Sequence, residues 1–96
     1  MKTKHTEGEW NVIQPKYQDY LVVKSDYKDL HICEILKGTY TIDKQEAEAN
    51  AKLIAAAPEL LEALKELMDL FYDHEPELYR QRQFNKAIKA INKATL

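Results

Sequence analysis

Residues 43–71 read DKQEAEANAKLIAAAPELLEALKELMDLF, and the predicted architecture is built around this stretch. Asp43 followed by Glu46 matches a capping box, in which the aspartate oxygen accepts a hydrogen bond from a free backbone amide at the start of a helix. The alanines that follow favour a helix with a thin cross-section. Pro58 disfavours helical geometry at the residue before it and suits the first turn of a new helix. We therefore predict one helix that ends just before Pro58 and a second that runs to about Asp73; a single kinked helix is the alternative.

The second of these helices has one apolar face. Its large apolar side chains recur at spacings of four, three and four residues, at Leu60, Leu64, Leu67 and Phe71. This period places them on one side of a helix. The alanine-rich helix already occupies the apolar face of the small sheet, so the sheet cannot also cover this leucine face. We therefore predict that the leucine face is an oligomer or partner interface, or that the last helix folds back over it. The expected assembly is a homo-oligomer, dimeric or higher.

The residues before this stretch favour strands. β-prone runs lie at Trp10–Gln14, Tyr20–Lys24 and Leu30–Leu36, and Tyr40–Ile42 is a candidate edge strand. The connections between the runs are short, which favours an antiparallel meander.

The predicted fold class is α+β: a small N-terminal antiparallel sheet of three or four strands, followed by two or three C-terminal helices. The last helix is predicted from about Glu77 to Lys93, with its apolar side chains turned inward. We expect a single domain over residues 1–96, with a β region (1–42) and a helical region (43–96).

Composition narrows the classes of protein. A chain of 96 residues forms one domain with a modest core. The formal net charge of −2 gives no overall attraction to nucleic acid. Cys33 is the single cysteine, which excludes an intramolecular disulfide and fits a reducing compartment. Because the runs without charge are short, we expect no membrane span, no signal peptide and a cytoplasmic location.

The sequence carries no enzyme motif. Gly8 and Gly38 are its only glycines, too few for a glycine-rich phosphate loop. His31 and Cys33 alternate along a predicted strand and are expected to share one of its faces, where a metal or nucleophilic site would need further ligands or a base. We therefore expect no catalytic activity, no metal and no cofactor.

Charge is distributed unevenly along the chain. Residues 43–77 carry three basic and ten acidic side chains, whereas residues 78–96 carry five basic and no acidic ones. Cations interleaved with aromatic rings suit the binding of phosphates and the stacking of a base. Five candidate ligand-binding residues are cations and aromatics of this basic segment: Tyr79, Arg80, Arg82, Phe84 and Lys86. Two more are Trp10, the only tryptophan, and Asn50, a polar residue of the alanine-rich helix. The alternative to ligand binding is that the basic side chains of residues 78–96, the basic stripe, are solvated or pair with the acidic segment, residues 43–77.

Two stretches carry a family resemblance. Residues 48–64 read EANAKLIAAAPELLEAL, and they closely resemble the signature N-A-R/K-L-I-A-A-A-P-E-L-L-E-A-L of small phage and prophage proteins. Residues 5–10, HTEGEW, are similar to the H-T-P-G-P-W start of many of these proteins, with glutamates in place of the prolines. The resemblance implies a phage or prophage accessory protein, hence the cytoplasm of a bacterial host. The layout of a small sheet followed by helices also resembles that of the anti-Thoeris sponge proteins, which sequester cyclic ADP-ribose-type immune signals.

From this we predict a phage-type accessory protein that acts by binding. The first hypothesis is counter-defence by sequestering a cyclic-nucleotide or ADP-ribose-type immune signal. The alternative is a protein-binding inhibitor module that blocks a host factor, such as a defence protein, through its leucine-rich helix face. DNA binding through the basic stripe ranks third, because the acidic segment opposes it.

Overall fold

The computed structural model describes residues 4–36, 43–74 and 82–96. Three strands come first and two helices follow. In chain order they are β1 (Trp10–Ile13), β2 (Tyr20–Ser25), β3 (His31–Leu36), α1 (Lys44–His74) and α2 (Arg82–Thr95). The predicted α+β class is confirmed, with three strands and two helices in the described ranges. The candidate edge strand Tyr40–Ile42 and the predicted start of the last helix at Glu77 lie outside the described residues.

The three strands form an antiparallel sheet in the order β1-β2-β3. Trp10 pairs with Ser25 at one end of β1, and Ile13 pairs with Val22 at the other. The middle strand is the most deeply buried, because it has a hydrogen-bonded neighbour on each side and its Leu21 and Val23 side chains form a cluster with alanines of α1. The meander predicted from the short connections is therefore confirmed.

Helix α1 covers the sheet with its smallest side chains. Ala47 and Ala51 are fully buried, and they form one cluster with Leu21 and Val23 of β2. An alanine at each contact lets the helix backbone approach the sheet closely. The start of the helix is fixed as the sequence predicts, because the Asp43 carboxylate accepts a 2.8 Å hydrogen bond from the backbone amide of Glu46.

The predicted helix break before Pro58 is wrong, and the single-helix alternative is correct. Helix α1 runs without interruption from Lys44 to His74, with Pro58 inside it. An internal proline removes one backbone hydrogen bond and costs about 3 kcal/mol. That cost is local, whereas strong helix formers lie on both sides of Pro58 and each side has its own buried contacts, Ala51 on one and Met68 on the other.

The chain divides into two compact units at this proline. We call His5–Pro58 the sheet unit; it holds the three strands and the first part of α1. We call the second unit, which includes Glu59–Leu96, the helical unit; it holds the rest of α1 and all of α2. The helices of the helical unit touch through Phe71 and Phe84, whose rings meet edge to face at 5.2 Å between centroids. The single-domain expectation over 1–96 stays a prediction.

The segment before β1 is clamped onto the turn after β2. The buried Ser25 hydroxyl donates a hydrogen bond to the Glu7 carbonyl and accepts one from the Tyr27 amide. The Glu9 amide donates to the Asp26 carboxylate at 2.9 Å. Gly8 lies between these contacts with φ +92°, in the left-handed region that favours glycine. A Cβ atom built there would lie 2.6 Å from Ser25 Oγ and 2.9 Å from Tyr27 Cβ.

Gly8→Ala is therefore expected to destabilise the sheet unit by about 2–4 kcal/mol, through overpacking and a strained backbone angle. Urea unfolding followed by tryptophan fluorescence measures the loss, since Trp10 lies two residues away. Glu9→Ala is the control, because this exposed neighbour keeps its backbone amide and its hydrogen bond to Asp26. Equal stability of Gly8→Ala and Glu9→Ala would show that the clamp does not hold the segment.

Candidate functional site

Trp10 is used by the fold itself. Its indole N–H donates a 3.1 Å hydrogen bond to the Thr6 carbonyl. The ring is half-buried, packs against the cluster of the sheet unit and meets the His5 ring edge to face at 5.8 Å. The H-T-x-G-x-W stretch thus closes on itself, and Trp10 has structural contacts on its polar and its apolar sides.

Asn50 lies at the surface of α1. It precedes the buried Ala51, and its own side chain is exposed. A ligand or partner would meet it on the outer surface of the helix.

The candidate residues of the last helix do not share a face. Phe84 is half-buried against Phe71, whereas Arg82 and Lys86 are exposed. Each of the two cations lies two residues from Phe84, and two residues correspond to about 200° around a helix. The ring and the charges therefore point in opposite directions, so one α2 helix cannot stack a base on Phe84 while these cations hold its phosphate. Tyr79 and Arg80 lie outside the described residues.

The basic side of α2 is a convex stripe. Its four cations are exposed, and none forms an ion pair with another residue of the described ranges; they are Arg82, Lys86, Lys89 and Lys93. A convex helix face attracts extended anions but does not enclose a small molecule.

The leucine face of α1 is covered only in part. Leu64 and Phe71 are half-buried, while Leu60 is 54% exposed and Leu67 is 49% exposed. Leu70, also 54% exposed, extends the uncovered area. The last helix contacts this face at Phe71, through Phe84.

The sheet unit contains a concave feature. An open groove of about 730 Å³ lies between the β1–β2 connection and the first turns of α1. This volume falls within the roughly 300–1,000 Å³ typical of small-molecule sites. Apolar, aromatic and charged side chains line it, among them Val12, Pro15, Lys16, Tyr17, Lys44 and Glu48.

Tyr17 is the most unusual residue of this groove. It is 92% exposed, and its φ is +65°. The turn is closed by a 3.3 Å hydrogen bond from the Gln18 amide to the Pro15 carbonyl, which places Tyr17 where glycine or asparagine is usual. Strain of this kind persists only where neighbouring contacts enforce it. Here Gln14 enforces it, since its side-chain amide donates to the carbonyls of Pro15 and Gln18.

This groove was not among the sites predicted from the sequence. Pro15 followed by Lys16 and Tyr17 is a basic and aromatic pair in a turn, which was a usable signal. The sequence could not show that Lys44, 28 positions after Lys16, lines the same groove.

His31 and Cys33 lie on opposite faces of β3, contrary to prediction. His31 pairs with Lys24 and Cys33 pairs with Val23, with a register irregularity between them. Since Val23 and Lys24 are consecutive on β2, they and their partners point to opposite sides of the sheet. Cys33 packs against the core cluster, where burial raises the pKa of its thiol, and His31 is exposed.

Within residues 4–36, 43–74 and 82–96, no three histidine, cysteine or carboxylate side chains are grouped so that they could hold a metal ion. Neither α1 nor α2 combines the length and the apolar character that crossing a membrane requires.

The comparison with family models identifies a phage protein. The matching family is described as Salmonella phage P22 protein Y8K6, and the match spans residues 1–95. The chain belongs to this family, which confirms that it is a phage-type protein, as the sequence resemblance implied. No curated protein and no solved structure matches the chain. The resemblance to the anti-Thoeris sponge proteins stays a prediction.

The Cys33 thiol is expected to react slowly with Ellman's reagent in the folded protein. Burial raises its pKa, so that less of the reactive thiolate is present at neutral pH. The reaction rate should rise once urea unfolds the sheet unit. A native rate as high as the unfolded rate would place Cys33 outside the core.

Proposed function

We propose that this phage accessory protein acts by binding, without catalysing a reaction, and that it sequesters a cyclic-nucleotide or ADP-ribose-type immune signal. The observation that carries the proposal is the groove at the β1–β2 turn, which combines an exposed tyrosine ring with lysines from two different elements.

The groove has the chemical groups that a nucleotide requires. Tyr17 offers a ring on which a base stacks. Lys16 and Lys44 offer charge for a phosphate, and the Glu48 carboxylate accepts hydrogen bonds from ribose hydroxyls. In the free protein Lys16 Nζ lies 5.4 Å from the centroid of the Tyr17 ring. A bound base would stack on the other side of the ring or displace this ammonium group.

The turn is also held ready for binding. Gln14 ties together the carbonyls around Tyr17, so the ring is displayed on a fixed turn. A site ordered in advance pays less conformational entropy when a ligand binds.

A second candidate function is that of a protein-binding inhibitor that docks on a host factor through the leucine face of α1. The half exposure of Leu60 and Leu67 favours it. A host factor bound to this leucine face would prevent any other protein from binding there.

Tyr17→Gly is expected to weaken nucleotide binding by about ten-fold or more, since stacking on an aromatic ring contributes roughly 1–3 kcal/mol per base. Glycine adopts the positive φ of this position without strain, so the fold should be retained. Isothermal titration of the full chain with ADP-ribose, cyclic ADP-ribose and cyclic mono- and dinucleotides measures the effect.

Tyr27→Ala is the matched control. Tyr27 also lies in a turn of the sheet, with Lys28 Nζ 5.0 Å from its ring centroid, but it does not line the groove. Its removal should leave binding unchanged. Absence of binding across the whole panel at millimolar ligand, or equal losses in both variants, would refute the proposed site.

A further inference from the structure

The helical unit leaves its apolar core half open. Helix α2 is strongly amphipathic in sequence, yet none of its residues is buried, and Phe84, Ile88 and Ile91 are only half-buried. On the α1 side, Leu60 and Leu67 are about half exposed. Two helices side by side cannot surround each other's apolar faces, and three- or four-helix arrangements are the usual solution.

The charges of the two helices are opposite. Residues 59–74 of α1 carry five acidic side chains and one lysine, whereas residues 82–96 carry four basic side chains and no acidic one. A single surface of the helical unit therefore includes an acidic and a basic helix next to each other.

We propose that two copies of this chain pair through their helical units to form a four-helix bundle. In it, each acidic segment of α1 lies between its own α2 and the α2 of the second copy, and Leu60, Leu67 and Leu70 are buried in the shared core. This inference is independent of the nucleotide proposal, because the groove lies in the sheet unit.

The charge pattern favours a second copy over an unrelated partner. A two-fold axis brings the acidic helix of each copy next to the basic helix of the other, and like-charged helices fall on the diagonals, where they are farthest apart. The surface is thus complementary to itself. The apolar spacing also fits, since Leu60, Leu64, Leu67 and Phe71 follow the four-three alternation of helices that pack in bundles.

Sedimentation equilibrium of the full chain tests the assembly. The expected mass is twice the 11.2 kDa of one chain at micromolar concentration. Leu67→Asp is expected to raise the dimer dissociation constant by on the order of 100-fold, because it places a carboxylate in the shared core. Leu36→Asp is the matched control: it makes the same change at an exposed leucine of the sheet unit and should leave the dimer intact.

A charge exchange keeps the test sharp if Leu67→Asp impairs folding. One variant neutralises the net charge of residues 59–74 with Glu59→Lys and Glu66→Lys, and the other neutralises that of residues 82–96 with Arg82→Glu and Lys89→Glu. Each variant alone should dimerise more weakly than the natural chain, because one helix of every neighbouring pair then carries no net charge. Mixed in equal amounts, the two variants should form a heterodimer, since the unchanged acidic helix of one again meets the unchanged basic helix of the other.

Three results would overturn the proposal. One is a monomer up to roughly 0.1 mM, a concentration at which specific pairs are normally formed. Another is a dimer that Leu67→Asp does not weaken. The last is a stoichiometric complex with a purified host protein that depends on Leu67 while the chain alone stays monomeric; it would assign the leucines to the inhibitor function instead.

Discussion

The contact between two alanines of α1 and the middle strand of the sheet supports the rest of the structure. Ala47 and Ala51 are fully buried against Leu21 and Val23, and no larger side chain would let the helix backbone approach so closely. This contact anchors the start of α1, which in turn places Lys44 and Glu48 beside the β1–β2 turn and so forms one wall of the groove.

The long helix serves two separate structures. Before Pro58 its fully buried residues are Ala47 and Ala51, which pack against the sheet. After Pro58, Met68 is buried and the half-buried Phe71 meets Phe84 of α2. The proline falls at the boundary between the two compact units, where a lost backbone hydrogen bond disturbs neither core. In this chain, one continuous helix thus contributes to both the sheet unit and the helical unit. The proposed nucleotide groove lies in the first and the proposed self-association surface in the second, so each function has its own scaffold.

Local patterns predicted the secondary structure well because the residues that set it are near one another in sequence. The Asp43 cap, the strand β2 and the class of fold are of this kind. The errors lie where a local rule competes with contacts made elsewhere. Pro58 does not end the helix, because packing on both sides holds it. His31 and Cys33 do not share a face, because an irregularity in the pairing of β2 with β3 changes the alternation.

The antiparallel meander, the amphipathic helices, the separation of acidic and basic segments and the phage resemblance could all be predicted from the sequence, since each depends on periodicity or composition along the chain. Which residues meet in space follows only from the folded chain. Tertiary contacts place Trp10 against the N-terminal segment, pack Phe84 against Phe71, and bring Lys44 to the groove that Tyr17 also lines. A side chain's neighbours in space depend on how closely two backbone segments approach each other. Here small residues set that distance: alanines of α1 at the sheet, and Gly8 at the turn after β2.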